Sequence, residues 1–238
     1  RKDLCEGRRL HANLLKRGFL EKNPYIGSTL ISMYAKCGML PEAEKVLEEL
    51  HVRDVVSWSS LIAGYAQQGQ GHEALDCFEK MQREGSSPPN EVTFICILKA
   101  CGSIGAGDKG KHFHEEIVDR GLLNQSIALG NALIDMYVKC GDLAKAKKAL
   151  EELPLQDIIS WNSLITGYAL RGQSQESLEC LAWMQSEGVS PDEVTFLCIL
   201  NAFSHAGMVD EGFQCFGYLN HGVSSMSPIE DHYNCIVD

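Results

Sequence analysis

The cysteine and histidine residues are the first places to look for chemistry, because the chain contains ten cysteines and eight histidines in 238 residues. Zinc sites need closely spaced ligands such as C-x2-C, and the nearest cysteine pair, Cys96 and Cys101, does not have that spacing. His114-Glu115-Glu116 matches the H-x-E signature of zinc deaminases, but no P-C-x-x-C segment accompanies it. The sequence also lacks a P-loop and a G-x-S-x-G element. We therefore expect this chain not to be an enzyme and to bind no metal, cofactor or small-molecule substrate.

A set of short polar residues could do chemistry of another kind, the hydrogen bonding of a ligand. Hydroxyl and amide side chains recur at one position of a repeating pattern, and carboxylates or amides recur at a second position. The first set is Ser28, Ser59, Asn131, Asn162 and Asn234, and the second set is Asp54, Asn90, Asp157 and Asp192. A lone Ser, Asn or Asp at the start of a helix is usually a cap. The recurrence at a common position favours a binding role for the whole set.

Internal repeats determine the elements that must position these residues. Two segments recur after nearly the same number of residues. They are Tyr34-Ala35-Lys36-Cys37-Gly38, which returns as Tyr137-Val138-Lys139-Cys140-Gly141, and Glu91-Val92-Thr93-Phe94, which returns as Glu193-Val194-Thr195-Phe196. Within this long period, an aliphatic pair followed by a glycine marks shorter units. The predicted units are 24–54, 55–90, 91–126, 127–157, 158–192 and 193–229, with a partial unit at 1–23 and the start of another at 230–238.

Each unit is predicted to form two helices, as 158–192 illustrates. Trp161 and Tyr168 lie on one apolar stripe with helical spacing, and Gly172 then interrupts the pattern. Ser174 is predicted to cap the second helix. Because two helices cannot bury their apolar stripes alone, neighbouring units must stack on one another. The predicted fold is therefore all-α, a superhelical α-solenoid of helix–turn–helix units.

Charge and hydropathy narrow the range of partners. The chain has 32 Asp and Glu against 21 Lys and Arg, a formal net charge of −11. This charge alone disfavours a partner held through its phosphates, because nucleic-acid-binding proteins usually carry a basic patch. No apolar run approaches the roughly 18 residues of a membrane span, so no membrane partner is expected. The sequence pattern indicates that the chain is part of a longer repeat array. We expect the targeting segment of the whole protein to lie outside this chain.

The cysteines and tryptophans are predicted to be structural. Cys37 and Cys140 occupy equivalent positions in different units. Residues separated by whole units cannot form disulfides, so the cysteines are expected to be small buried residues in a reducing compartment. Trp58 and Trp161 could be stacking platforms for a ligand, but their spacing matches the buried stripe.

Three segments and the alternation of unit lengths point to a family. The segments are Val-Val-Ser-Trp-Ser-Ser-Leu-Ile-Ala-Gly-Tyr from Val55, Asn131-Ala132-Leu133-Ile134-Asp135-Met136-Tyr137, and Glu193-Val194-Thr195-Phe196. With them, the whole chain resembles plant pentatricopeptide repeat (PPR) proteins of the PLS subclass, the RNA editing factor type. The resemblance implies a right-handed superhelix. It also implies S-type repeats at 24–54 and 127–157, P-type at 55–90 and 158–192, L-type at 91–126 and 193–229, a partial L-type repeat at 1–23 and the start of a further S-type repeat at 230–238.

The resemblance implies sequence-specific binding of single-stranded RNA, one base per repeat. In the family, the fifth and last residues of a repeat read the base. Ser28 with Asp54 then implies G, Ser59 with Asn90 implies A, Asn131 with Asp157 and Asn162 with Asp192 each imply U, and Asn234 implies a pyrimidine. Ile95 and Leu197, the fifth residues of the L-type repeats, have no hydrogen-bonding side chain. The predicted register is 5′-G-A-N-U-U-N-Y-3′. Because the loop before Asn90 is one residue longer than its counterpart, either Pro89 or Asn90 could be the last residue.

The resemblance also implies that residues other than the base readers contact the RNA. The second residue of each repeat wedges between bases, and the predicted wedges are Tyr25, Val56, Val92, Ala128, Ile159 and Val194. Tyr25 departs from the aliphatic pattern, and Ala128 is small. Lys36 and Lys139 end the first helix of the S-type repeats, where they could reach phosphates or favour the helix dipole.

Several functions are compatible with such a groove. The PLS pattern favours the specification of organellar transcript sites, in a mitochondrion or chloroplast, for C-to-U editing. RNA stabilisation, splicing or translation would use the same readout. A protein-binding helical-repeat scaffold is the alternative from another class, although it would not need Asp or Asn at the end of each unit. The apolar fifth positions of the L-type repeats would suit the docking of an editing-complex protein.

Overall fold

The computed structural model describes residues 2–85 and 87–208, and it divides the chain into two compact units, Arg1–Arg120 and Gly121–Asp238. The described residues form α-helices and one short 3-10 helix, with no strand among them. The all-α prediction is therefore confirmed. None of the helices in these residues combines the length and the apolar character that a bilayer span requires.

The first unit consists of a partial repeat followed by three helix pairs. Its helices are α1 (Lys2–Lys16), α2 (Phe19–Lys22), α3 (Pro24–Lys36), α4 (Leu40–Glu49), α5 (Val55–Gln67), α6 (Gly71–Glu84), α7 (Glu91–Ile104) and α8 (Gly107–Asp119). The pairs α3–α4, α5–α6 and α7–α8 each lie within one unit of the sequence pattern.

The described part of the second unit contains two helix pairs and the first helix of a third. A 3-10 helix at Leu122–Asn124 precedes α9 (Ile127–Cys140), α10 (Leu143–Glu152), α11 (Ile158–Ala169), α12 (Ser174–Ser186) and α13 (Glu193–Ala206). The residues of the predicted units beyond 208 lie outside the described part of the chain.

A glycine ends the first helix of a pair and starts the turn to the second. Gly141 follows α9 with φ 82°, in the left-handed region that a residue with a Cβ rarely adopts, and its N–H donates to the carbonyl oxygens of Tyr137 and Val138. Gly38 follows α3 with φ 75°. These turns reverse the chain within a few residues, so the second helix packs directly on the first.

The first helices of successive pairs stack side by side within each unit. In the first unit α5 contacts both α3 and α7, and in the second unit α11 contacts both α9 and α13. Within each compact unit, a second helix also contacts the first helix of the following pair, as α4 contacts α5 and α10 contacts α11. This arrangement aligns the N-terminal ends of the first helices, where the candidate ligand-binding residues lie.

The core is built from the apolar stripes of both helices. Trp58 and Trp161 are 3% and 0% exposed, so the expectation that they belong to the core is confirmed. The Trp161 ring packs edge-on against Trp183, with ring centroids 4.6 Å apart. Tyr137 and Phe94 are likewise buried.

Two local expectations were wrong. Ser174 does not cap α12, because it is the first helical residue and its hydroxyl donates to Met208 Sδ (2.9 Å), while Gln173 occupies the cap position without a side-chain bond. Cys37 is exposed, although Cys77 and Cys180 are buried as expected. Burial raises the pKa of the Cys77 thiol to about 12 and that of Cys180 to about 11, so both thiols stay protonated near neutral pH.

Candidate nucleic-acid interface

The last residue of each complete helix-pair unit caps the first helix of the next. The backbone N–H groups of Ser57, Thr93, Ser160 and Thr195 donate to the Oδ1 atoms of Asp54, Asn90, Asp157 and Asp192 over 2.8, 3.0, 2.9 and 2.8 Å. Ser126, the last residue of 91–126, accepts in the same way from the N–H of Leu129 over 3.1 Å. Capping places these side chains at the aligned helix ends and uses one acceptor atom of each, so the second polar atom of an Asp or Asn is available for another contact.

The Asn residues at the fifth positions meet the caps of their own units. Asn131 Nδ2 donates to Asp157 Oδ2 (3.1 Å), and Asn162 Nδ2 donates to Asp192 Oδ1 (3.1 Å). All four side chains are half-buried. The structure therefore brings together both pairs that the sequence predicts to read U.

Ser59 is linked to Asn90, the last residue of its unit, through Thr93. Its hydroxyl lies 2.7 Å from Thr93 Oγ1, and the Thr93 hydroxyl donates to Asn90 Oδ1 (2.9 Å). Ser28 is arranged differently, because its hydroxyl donates to the carbonyl oxygen of Tyr25 (3.1 Å). No hydrogen bond among the described residues joins Ser28 to Asp54, so this pair is not brought together as the others are.

The longer loop before Asn90 does not displace it from the cap position. Asn90 and Asp192 form the same capping box, in which the residue three positions later returns a side-chain contact to the cap backbone. The carbonyl oxygen of Pro89 accepts from Arg120 Nη1 (3.3 Å) and takes no part in this box. The extra residue is therefore accommodated before Asn90.

The predicted wedge residues form a series of exposed apolar side chains next to these pairs. Their exposed fractions are 72% for Tyr25, 43% for Val56, 52% for Val92, 58% for Ile159 and 52% for Val194, and Ala128 is also exposed. Apolar side chains that recur in the open at one helical position are costly to leave in water, so they suggest a surface that a ligand covers.

One groove in the first unit combines all three kinds of candidate residue. It has a volume of about 220 Å³ and is lined by the wedges Val56 and Val92, by Ser59 and Asn90, and by Lys36. Hydrophobic walls with a few polar groups that converge on one point are typical of ligand sites.

The two candidate phosphate-binding lysines differ in their surroundings. Lys139 Nζ forms an ion pair with Asp135 Oδ2 (2.8 Å), one helical turn earlier. Lys36 is exposed, and the residue one turn before it is Ser32, which has no charge. Among the described residues, Lys36 has no carboxylate within ion-pair distance. Only Lys36 is therefore free to meet an anion without first breaking an ion pair.

Hydrogen bonds keep the Asp192 carboxyl ionised. Burial opposes its ionisation, but the backbone N–H and hydroxyl of Thr195 and the amide of Asn162 outweigh that effect and hold the pKa below its usual value. Asp192 is therefore a hydrogen-bond acceptor only, at any pH near neutral.

Other candidate residues do not join these pairs. Ile95 and Leu197 are half-buried and offer no polar group. Asn234 and the unidentified last residue of 193–229 lie outside the described residues. No cluster of His, Cys, Asp or Glu in the described part of the chain has the arrangement of a metal site.

Sequence reasoning missed Thr93 and Thr195, which contact both members of the preceding pair. A threonine three positions after an Asn or Asp cap is a capping-box pattern, so the signal was present in the repeated Glu-Val-Thr-Phe segments.

Comparison with protein families identifies the repeats. The model described as "PPR repeat family" matches residues 53–103 and 156–205, and the model described as "PPR repeat" matches residues 28–55, 131–158 and 194–219. Together these matches cover more than half of the chain. The chain therefore belongs to the PPR repeat family.

Similar proteins from Arabidopsis thaliana carry the same repeats. The pentatricopeptide repeat-containing protein CRR2, chloroplastic, is 39% identical over 99% of this chain and 36% of the relative. The pentatricopeptide repeat-containing protein At1g06140, mitochondrial, is 35% identical over 98% of this chain and 41% of the relative. This chain thus spans 36% to 41% of the length of these two relatives.

Solved structures share the fold. Maize PPR10 superposes with a TM-score of 0.70 at 24% identity, covering 88% of this chain and 30% of PPR10. The PPR domain of the Arabidopsis thaliana protein-only RNase P 1, solved in complex with tRNA, gives a TM-score of 0.54 at 15% identity, covering 74% of this chain and 92% of that domain. Both likenesses support the helical-repeat fold.

Proposed function

We propose that this chain binds single-stranded RNA in a sequence-specific manner, one base per repeat, with the register 5′-G-A-N-U-U-N-Y-3′. The observation that carries the proposal is the contact between fifth and last residues, Asn131 with Asp157 and Asn162 with Asp192, beside exposed wedge side chains. Unstacked bases expose their hydrogen-bonding edges to a repeat protein, and two or three side chains per repeat can read them.

The bonds around Asn162 and Asp192 suit uracil. Asn162 uses one amide hydrogen on Asp192 and its oxygen on Thr195, so its second amide hydrogen can meet the O4 acceptor of uracil. Asp192 Oδ2 can accept from the N3–H of the same base. Cytosine presents a donor and an acceptor in the opposite order, so its ring nitrogen would face a carboxylate and be repelled.

The bonds around Ser59 and Asn90 suit adenine. Asn90 Oδ1 already accepts from the backbone N–H and the hydroxyl of Thr93, which leaves the Nδ2 hydrogens as donors. Such a donor matches N1 of adenine, and the lone pairs of the Ser59 hydroxyl match the adenine amino group. Val56 and Val92 would contact the faces of this base, and Lys36 would reach its phosphate from the same groove.

Binding to designed RNA probes tests this function. A probe that contains G-A-N-U-U-N-Y should bind at least about tenfold more tightly than a probe with both U positions changed to G, because a matched base contact contributes about 1–3 kcal/mol. Fluorescence anisotropy with the full 238-residue chain measures both affinities. Equal binding of the two probes would contradict the base assignments, and no binding of either would contradict RNA recognition itself.

The cellular role that we propose is the recognition of organellar transcript sites, in a mitochondrion or chloroplast, most simply for C-to-U editing. The similar relatives with chloroplastic and mitochondrial names support the compartment. The P-L-S succession of units supports the editing role, in which Ile95 and Leu197 of the L-type repeats would contact a protein of the editing complex. RNA stabilisation, splicing or translation would require the same base readout from this chain.

A further inference from the structure

Thr93 and Thr195 are buried residues whose hydroxyl groups contact the proposed base readers of the preceding unit. Each is the third residue of a first helix, α7 or α13, and each is 0% exposed. A fully buried hydroxyl requires hydrogen-bond partners. In both cases the partners are the fifth and last residues of the unit before, so each threonine links two adjacent units.

The hydrogen bonds of Thr195 fix the orientation of the Asn162 amide. Thr195 Oγ1 accepts from the backbone N–H of Asp192 (3.1 Å), and its single hydrogen faces Asn162 Oδ1 (2.7 Å) and Asp192 Oδ1 (2.8 Å). Asp192 Oδ1 already accepts from the backbone N–H of Thr195 and from Asn162 Nδ2. With its oxygen on the Thr195 hydroxyl and one amide hydrogen on Asp192, Asn162 cannot flip without losing both bonds.

Thr93 acts in the same way on Ser59. Thr93 Oγ1 accepts from the backbone N–H of Asn90 (3.2 Å) and donates to Asn90 Oδ1 (2.9 Å). With the Thr93 hydrogen on Asn90 Oδ1, the remaining lone pair of Thr93 Oγ1 accepts from the Ser59 hydroxyl, 2.7 Å away, and Ser59 then presents its lone pairs to the groove.

Two of the other caps, Asp54 and Asp157, are followed by serines that make no such contact. Ser160 and Ser57 donate their hydroxyl groups to the backbone oxygens of Asp157 (2.7 Å) and Asp54 (2.8 Å). Asn131 Oδ1 is consequently buried without a hydrogen-bond partner among the described residues. The Asn131 amide is held by one bond to Asp157, whereas the Asn162 amide is held by two.

We propose that Thr195 and Thr93 are positioning residues that fix the hydrogen-bonding direction of the base reader one unit earlier. Selectivity for U over C is therefore sharper at the base of Asn162 and Asp192 than at the base of Asn131 and Asp157. This inference rests on the proposed function. It adds to each of the two reader pairs a third residue, which contacts the readers but not the base.

The variant Thr195→Val tests the inference, because it keeps the shape of the side chain and removes the hydroxyl. U and C are compared at each of the two U positions of the probe, so each protein gives two discrimination ratios. We expect the U-over-C ratio at the Asn162 base to fall about fivefold, the effect of one net hydrogen bond, with the ratio at the Asn131 base unchanged. Thr195→Ser keeps the hydroxyl and should retain the wild-type ratio.

Ser160→Ala is the matched control, because Ser160 occupies the equivalent position behind the Asn131–Asp157 pair. Its hydroxyl contacts only the backbone of the cap residue Asp157. It should leave both ratios unchanged. If Thr195→Val lowers the affinity for all bases equally, or leaves its ratio intact, Thr195 has only a structural role and the proposal is wrong. If Thr195→Val loses helix content, Thr93→Val and the A-over-G ratio at the Ser59 base decide the question in the first unit.

The proposed RNA recognition and the positioning role of Thr195 can be tested separately. A wild-type chain that shows no base preference at either U position would overturn the proposed function. A wild-type chain that prefers U equally at both positions, together with an unchanged ratio in Thr195→Val, would overturn only the positioning role.

Discussion

Asp157 and Asp192 can act as helix caps and as base readers at once, because a carboxylate has two oxygens. One oxygen of Asp157 accepts from the Ser160 backbone, and the other accepts from Asn131. The cap bond holds the side chain in one rotamer before any ligand arrives, so binding does not have to pay that ordering entropy again. Capping would therefore favour the proposed reading role of these two residues.

Exchange of the amide at position 162 should change the base that is read. In Asn162→Ser, the hydroxyl can meet Thr195 as Ser59 meets Thr93, and the cap remains Asp192. The resulting Ser–Asp pair matches Ser28 with Asp54, so we expect preference at this base to move from U towards G by about 1–3 kcal/mol. Competition binding with the four single-base probe variants measures the change.

The base proposed to contact Asn131 serves as the internal control for that experiment, since the contacts of Asn131 are untouched. A variant that keeps full preference for U, with normal thermal unfolding, would mean that Asn162 supports the helix and reads nothing.

The candidate residues were predicted from sequence by their recurrence, but their connections were not. The positions of Asn131, Asn162 and Asp192 follow from the repeat phase alone. The Thr195 bridge and the Lys139–Asp135 ion pair depend on rotamers, which the repeat phase does not specify. The same limit explains Cys37, which shares a phase with other units but lies at an exposed helix end.

At the level of single elements, the helix pairs are held by close approach between a first helix and the loop that leaves the second. Gly130 on α9 lies against Leu153, and a Cβ added at Gly130 would lie 2.5 Å from Leu153 Cδ2. Gly27 and Leu50 repeat this contact in the first unit, with a corresponding distance of 2.6 Å. The recurrence shows that each of these pairs closes through a glycine–leucine contact.

Gly130→Ala should therefore destabilise the second unit by about 1–3 kcal/mol, because Leu153 is buried and has little room to move. A Leu153→Ala background removes the three atoms that lie nearest to the added methyl group. There the same substitution should stabilise by about 0.5–1 kcal/mol, since glycine is unfavourable inside a helix. Urea denaturation of the four proteins gives both values. The same penalty in both backgrounds would show that Leu153 is not the obstacle.

Element boundaries were predictable where glycine or a polar cap marks them and less so elsewhere. Gly141 and Asp157 mark the end of one helix and the start of another, as expected. Ser174 was wrong as a cap because the preceding Gln173 adopts the cap backbone conformation, which a residue pattern does not encode. The 3-10 helix at Leu122–Asn124 carries no periodic signal because three residues are too few to show one.

On the scale of the whole molecule, the chain carries a net charge of −11. In the first unit, several basic residues pair with acidic residues on neighbouring second helices. Lys80 contacts Glu44 (2.9 Å) and Lys109 contacts Glu79 (3.3 Å). These exposed pairs add little stability, but they keep the lysines away from the first-helix ends where the proposed readers lie. Lys36 is the basic residue that lines the groove beside Ser59 and Asn90.

This distribution predicts a weak dependence of RNA affinity on salt. With Lys36 as the main phosphate contact, the slope of log K against log salt should be about −0.7 to −1.4, because each phosphate neutralised on a single strand contributes about −0.7. Lys36→Ala should make the slope shallower by about 0.7.

Asp135→Ser should release Lys139 from its ion pair and make the slope steeper by a similar amount. Asp108→Ser is the matched control, since it removes the same charge from α8 without releasing either of the two candidate phosphate-binding lysines, and it should leave the slope unchanged. Anisotropy titrations between about 50 and 300 mM salt measure all four proteins. A wild-type slope steeper than about −3 would show that basic residues other than Lys36 hold the RNA backbone.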